Sequence, residues 1–314
     1  MIATLTLPFS ASELRDAVRH ARPFNPARLD RVLRLDAARG LVEVQANASW
    51  QGLVAYLRPT RPELAAAWPW DVTVGESIAT NAAGPDGRPV VVHLESLTLV
   101  TPDGELRRVS RANPELFALA VGGQGLFGAL YSATLRLESL ARAAAEATPP
   151  TTLALPRDNA ADADARLLDL LVPPENHAAF LAEVRARCAE WRIDIEAVAV
   201  RRTLAENETV LCWARREYAA ISLRLGSLST LGGAVRSTQL RRSLIDSAIA
   251  HGGSFCIATT TDATRAQVEA CYPELGRFLA DKRRLDPAEK LTNAWYRHYR
   301  NLLGRQPCEG RWQR

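Results

Sequence analysis

A chain of 314 residues with 47% hydrophobic and 24% charged side chains has room for one or two domains and can bury a full core, which excludes a disordered or fibrous protein. The net charge of +4 is small and spread out, and pairs such as Arg201-Arg202 and Arg241-Arg242 read as solvated faces, so nucleic-acid binding is not expected. Five scattered cysteines with no CxxC spacing argue for a reducing, cytoplasmic setting and against a zinc site. No run approaches the ~18 consecutive apolar residues of a membrane span, and MIATLTLPFSASEL lacks the basic start and apolar run of a signal peptide.

In chain order, Ser10 and Glu13 have capping-box spacing, and Leu14, Ala17, Val18 and Ala21 repeat on one face, which predicts a helix over residues 10–21. Val32 to Leu35 and Val42 to Ala46 read as strands around an Asp36–Gly40 turn, and Asn47 or Ser49 as the cap of a helix over Trp50–Leu57. Residues 71–137 then read as two glycine-bearing turns on a strand-rich scaffold. Gly75 and Gly84 mark the first, with Ser77, Thr80 and Asn81 between them; Gly122, Gly123, Gly125 and Gly128 mark the second. Glycines in loops let backbone N–H groups approach a ligand closely. Between the turns, strands are expected around Leu94–Val100 and Leu106–Val109, joined at Pro102-Asp103-Gly104, followed by a helix after Asn113-Pro114.

The ordered set Thr73-Val74-Gly75, Asn81, Gly84, His93, Ser96, Asp103-Gly104, Glu115-Leu116-Phe117 and Gly122-Gly123-Gln124-Gly125-Leu126-Phe127-Gly128 resembles the FAD-binding domain of the vanillyl-alcohol oxidase / p-cresol methylhydroxylase (PCMH-type) superfamily. Within it, the chain is similar to bacterial sugar and sugar-lactone FAD-linked oxidases and decaprenylphosphoryl-ribose oxidase. The resemblance implies an α+β, two-lobed fold: a flavin-binding lobe over residues 1–140, an α+β substrate lobe over 141–270, and a segment 271–314 returning to the first lobe. Residues 141–165, rich in Ala, Thr, Pro and Asp, read as the linker between them. Resemblance further implies non-covalent FAD, held by backbone and side chains at Val74, Gly75, Ser77, Asn81, Gly84, Gly122, Gly123, Gly125 and Gly128, with Asn293 near the ring. The chemistry implied is hydride transfer to flavin from the CH–OH carbon of a sugar-like small-molecule alcohol. No residue is assigned a catalytic role, and no metal.

Departures from the family pattern limit that inference. Relatives carry a glycine-rich pyrophosphate loop near the N-terminus, whereas here no glycine precedes Gly40, and the flavin lobe reads as truncated. Glu76 stands where relatives have a second glycine, facing either the phosphates or solvent. Pro85–Pro89 is shortened, and Cys256–Thr261, read as the substrate-facing strand, offers threonines that are poor general bases. FAD retention is therefore expected to be weak or lost. Three alternatives stay open: an FAD-dependent oxidoreductase, a non-catalytic homologue with a binding or accessory role, or an upstream segment that supplies the loop. His93 reads as structural, His298 as packing, His251 as a helix cap, and Trp68-Pro69-Trp70 as a rim or core element.

Overall fold

The computed structural model describes residues 5–66, 72–149, 151–153, 167–226 and 231–304. Helix α1 (Ala11–Arg19) is capped by the Ser10 hydroxyl, which accepts from the Glu13 N–H, and buries Leu14, Ala17 and Val18. Strands β1 (Val32–Asp36) and β2 (Leu41–Gln45) form a hairpin, and Ser49 caps α2 (Trp50–Leu57). Next come α3 (Val74–Thr80), β3 (Leu94–Val100), β4 (Leu106–Ser110), α4 (Pro114–Ala120), β5 (Ala129–Arg136) and α5 (Leu137–Ala145). The five strands make one sheet in the order β1-β2-β5-β3-β4, antiparallel throughout. Val42 and Val44, Leu97 and Leu99, and Ala133 and Leu135 alternate onto one face, where Trp50, Ile78 and Phe117 cover them.

A second five-stranded antiparallel sheet follows, in the order β10-β7-β9-β8-β6. Its strands are β6 (Thr151–Leu153), β7 (Leu167–Val172), β8 (Ile195–Thr203), β9 (Tyr218–Leu225) and β10 (Ser254–Phe255). Helices α6 (His177–Trp191) and α7 (Leu231–Ala250) lie against it, with Phe180, Val184, Leu240 and Leu244 in the shared core. Three closing helices are α8 (Arg265–Cys271), α9 (Leu275–Leu285) and α10 (Ala294–Gly304). Antiparallel sheets with helices packed on them make the fold α+β. No helix among the described residues is long and apolar enough to cross a membrane.

The hydrophobic core of the second sheet does not stop at its own strands. Leu119, Leu126 and Phe127, from the segment between α4 and β5, join it, and Phe127 meets Phe278 of α9 edge-on with ring centroids 5.0 Å apart. The closing segment reaches both sheets. Leu291 packs with Leu14, Leu29, Val100 and Ala129, and the Lys290 ammonium donates to the carbonyls of Arg19 and Pro102 at 3.2 and 3.0 Å. Within the segment Lys282 and Asp286 form an ion pair, with both side chains almost wholly buried. The Asp286 carboxylate also accepts from the N–H groups of Lys290 and Leu291 at 3.0 and 2.9 Å, which satisfies a charge that burial would otherwise disfavour.

Several expectations are corrected. Residues 141–145 continue α5 rather than begin a linker, because Leu140 and Ala143 bury the apolar face of that helix. Cys256–Thr261 is not a strand: after the Cys256 N–H reaches the Asp169 carbonyl of β7, the N–H groups of Thr259 and Thr260 fold back onto the Cys256 carbonyl. Trp295 and Tyr299 then take the carbonyls of Ile257 and Thr260, so this backbone faces the closing helix. Residues 210–225 read in sequence as a buried segment ending in a strand; Leu211, Trp213 and Ala214 are buried and the strand begins at Tyr218. Trp68-Pro69-Trp70 and most of the expected linker lie outside the described residues.

Gly123 and Gly125 respond to different constraints. A Cβ on Gly123 would sit 1.9 Å from the Leu119 carbonyl oxygen, whereas on Gly125, at φ +71°, it would meet nothing within 4 Å. Gly125→Ala should therefore cost about 1 kcal/mol from backbone conformation alone, and Gly123→Ala more, because backbone must move. Urea unfolding midpoints of the two variants test that order.

His93 is 1% exposed, and its Nδ1 lies 2.8 Å from the Ser139 hydroxyl. Burial, then the charges of Arg88 and Arg136, push its pKa down to about 4. Unfolded chain protonates this imidazole near pH 6.5, so between 6.5 and 4 the unfolded state binds the extra proton. Stability should fall across that window by up to about 3 kcal/mol and be unaffected by this group above it. Unfolding free energies measured from pH 7 to 4 should show the drop, and His93→Asn should remove it.

Candidate functional site

The two glycine-bearing segments meet at α3. The first is not a turn but the start of that helix. Thr73 is its N-cap: its hydroxyl accepts from the Glu76 N–H at 3.1 Å, while the Glu76 carboxylate accepts from the Thr73 N–H at 2.8 Å and the Thr73 hydroxyl at 3.0 Å. Glu76, exposed at the surface, closes the helix that carries it through these bonds. The Val74 N–H donates to the Ala48 carbonyl at 2.9 Å, that of Gly75 to Ala46 at 2.7 Å, and that of Ser77 to Thr73 at 3.1 Å. All five N–H groups from Thr73 to Ser77 are engaged within the protein, where a helix start could otherwise receive an anion. Gly75 is required by that approach, since a Cβ would lie 2.7 Å from the Ala46 oxygen. The Ser77 hydroxyl, also buried, accepts from the Trp50 indole N–H at 2.8 Å and donates to the Thr73 carbonyl at 3.0 Å.

Asn81 ends α3 in the left-handed conformation, φ 51°. Next to it runs the second glycine segment. The Gly122 N–H donates to the Ile78 carbonyl at 2.8 Å and the Gln124 N–H to that of Ala79 at 2.9 Å. Gly122 and Gln124 both have positive φ, which lets the strap lie flat on the end of α3. Asn293 joins from the closing segment: its amide donates to the Gln124 carbonyl at 2.9 Å and its oxygen accepts from the Tyr296 N–H at 2.8 Å. Val74, Gly75, Ser77, Asn81, Gly122, Gly123 and Asn293, expected to gather from sequence, are thus brought together or linked through one strap. Gly128 stands further along, where a Cβ would press on Leu99 at 2.9 Å, and Gly84 packs instead against Asp86 and His93.

What sequence reasoning missed is the loop between β8 and β9. Glu206 is 7% exposed, and its carboxylate accepts from the Asn81 amide at 3.1 Å, from the N–H groups of Glu208 and Thr209 at 2.7 and 3.1 Å, and from the Thr209 hydroxyl. The Trp213 indole donates to the Asn81 carbonyl at 3.1 Å, and the Val210 N–H to the Ala118 carbonyl at 3.0 Å. Leu204 N–H reaches the Gly87 carbonyl at 2.7 Å, and Arg111 pairs with Glu208. Residues 204–213 therefore lie on the mouth formed by α3, α4 and the second glycine segment. The carboxylate at 206 followed by backbone N–H donors two and three residues on was a local turn signal in Glu206-Asn207-Glu208-Thr209.

Side chains that could act in acid–base or nucleophilic chemistry nearby are held by internal partners. The Cys212 thiol donates to the Glu206 carbonyl at 3.0 Å, and burial, with the Glu206 charge, pushes its pKa up to about 12. The Tyr272 hydroxyl donates to the Phe255 carbonyl and its pKa is raised well above the usual phenol range by burial. A flavin nucleotide needs several aimed donors for its pyrophosphate. In this arrangement the helix-start donors are engaged, and the carboxylate of Glu206 stands at the amide of Asn81. The residues present do not fit FAD as folded.

Asn81→Ala should be among the more costly single changes, because it leaves the Val91 N–H, which donates to the Asn81 oxygen at 3.1 Å, without its acceptor and takes one of four donors from the buried Glu206 carboxylate. A loss of about 2–4 kcal/mol is expected; Glu206→Gln, whose amide NH2 would face donors where a carboxylate oxygen accepted, should also destabilise, and thermal unfolding of both variants checks this. Against known proteins, residues 24–110, from before β1 to the end of β4, match the model of the FAD binding domain family. No curated protein matches the chain. The matched stretch is similar to an FAD binding domain over β1 to β4, and it ends before α4 and the second glycine segment.

Proposed function

We propose that this protein is a flavin-oxidase homologue that keeps the FAD-domain scaffold without using FAD as a catalytic cofactor, and that it serves a binding or accessory role. One observation carries this reading: the N–H groups from Thr73 to Ser77 and both amide atoms of Asn81 are committed to partners within the chain, one of them the Glu206 carboxylate. To bind FAD there, the protein would have to break those bonds and expel residues 204–213. Charge-assisted hydrogen bonds contribute roughly 1.5–3 kcal/mol each, and tenfold in affinity corresponds to about 1.4 kcal/mol, so losing three would weaken a nanomolar site by several powers of ten. In the same reading residues 1–140 correspond to the flavin lobe, 141–270 to the substrate lobe and 271–314 to the returning segment of an FAD-linked oxidase, and the protein is cytoplasmic.

A second reading is supported by the family match itself: an FAD-linked oxidase acting on the CH–OH group of a sugar, sugar lactone or similar alcohol. Under it, Val74, Gly75, Ser77, Asn81, Gly84, Gly122, Gly123, Gly125, Gly128 and Asn293 would contact non-covalent FAD after the 204–213 loop withdraws. Purified protein mixed with excess FAD and passed through gel filtration separates the two. A colourless protein peak with FAD eluting free is expected, and Glu76→Gly should not change it, since Glu76 serves its own helix. A yellow peak with stoichiometric FAD that survives dialysis overturns the non-catalytic reading and puts the oxidase in its place.

A further inference from the structure

A cleft of about 460 Å3 opens beside β5, walled by the β1–β2 turn, the Asp86–Arg88 loop, the start of β3 and the first turns of α5. Its lining contains four guanidinium groups, from Arg39, Arg88, Arg136 and Arg142, against three carboxylates. Two of the arginines are matched: Arg88 Nε lies 3.3 Å from Asp86 Oδ2, and Arg142 Nη2 lies 3.7 Å from Glu138 Oε1. Arg136 is held in place by a 2.9 Å bond from Nη2 to the Val92 carbonyl, while its buried Nε has no hydrogen-bond partner among the described residues. Arg39 stands exposed at the rim.

Helix α5 begins at this cleft. Its N-cap is Arg136, which supplies no side-chain acceptor. The Leu137 N–H donates to the Gly40 carbonyl at 2.8 Å, which ties the head of α5 to the β1–β2 turn. The Ser139 hydroxyl lines the same wall and is fixed from behind by His93. Gly84 makes that backing close, since a Cβ there would come within 2.9 Å of Asp86 Oδ1 and 3.3 Å of His93 Nε2.

Guanidinium forks, a helix start without a side-chain cap and a positioned hydroxyl have one common complement, a compact oxyanion with several acceptor oxygens. We propose that this cleft is a binding site for the phosphate group of a small molecule. A tetrahedral phosphate presents more acceptors than a carboxylate and carries more charge, so it uses the guanidinium groups and the α5 start together. The site shares no residue with the α3 and Gly122–Gln124 junction, so it stands apart from the reading of that junction.

Inorganic phosphate is the probe, with acetate as the carboxylate arm, both titrated at constant ionic strength and followed by calorimetry and melting temperature. Saturable binding of phosphate with a rise in melting temperature, and acetate at least tenfold weaker, is the expected result. Arg39→Gln combined with Arg142→Gln changes only exposed side chains, so the apo protein should melt unchanged while phosphate affinity falls at least tenfold. Ser139→Ala should also weaken phosphate. No saturable response to phosphate, acetate binding as tightly as phosphate, or a double variant that binds like the parent would each overturn the proposal.

Discussion

Asn81 holds the middle of this molecule together. Its side chain is wholly buried, its backbone is left-handed, and its polar atoms are divided among three parts of the chain. Oδ1 accepts from Val91 at the approach to β3, Nδ2 donates to Glu206 of the β8–β9 loop, and the carbonyl accepts from Trp213. A short amide is suited to this place because it tolerates positive φ and carries a donor and an acceptor on one planar group. A buried amide with its partners in place specifies one arrangement, since any displacement leaves at least one group unpaired in a dry interior. Through it, the end of α3, the first sheet and a loop of the second sheet share one geometry.

Four glycines of the pattern that suggests a ligand site are explained by protein against protein, and Gly125 by its positive φ. Gly75 yields to the Ala46 carbonyl, Gly84 to Asp86 and His93, Gly123 to the Leu119 carbonyl, and Gly128 to Leu99. Close backbone approach was correctly implied by the glycines; what approaches is the chain itself. Gly75, Gly123 and Gly128 are each needed for α3, the strap and β5 to pack. The same holds for Asn293, whose amide ties the closing helices to the Gln124 carbonyl.

The closing segment shows how one buried ion pair makes a long-range tie. Lys282 and Asp286 face each other one helical turn apart, and burial, opposed by the Asp286 carboxylate, lowers the pKa of the lysine. Asp286 then fixes the backbone of Lys290 and Leu291, so that Lys290 can reach Arg19 and Pro102, while Trp295 and Tyr299 pack from the other side on the second-sheet core. Each sheet thus borrows apolar surface from segments distant in sequence, which reduces the exposed core edge that either would have alone.

Local signals determined much of this fold. The capping pairs at Ser10–Glu13 and Ser49–Gly52, the alternation in β2, the Pro102–Gly104 turn and the proline at the head of α4 all act within a few residues, and each element stands where such signals put it. The Thr73-Val74-Gly75-Glu76 start of α3 was equally local, a capping box masked by attention to its glycine. What only tertiary structure decided was the destination of polar groups: that Glu206 would meet Asn81 across 125 residues, that Trp213 would cover the mouth between α3 and α4, and that Cys256–Thr261 would leave the sheet for the closing helix. Periodicity and caps are set by neighbours in sequence, but the partner of a buried amide or carboxylate is set by which distant backbone arrives there, and no local pattern encodes that arrival.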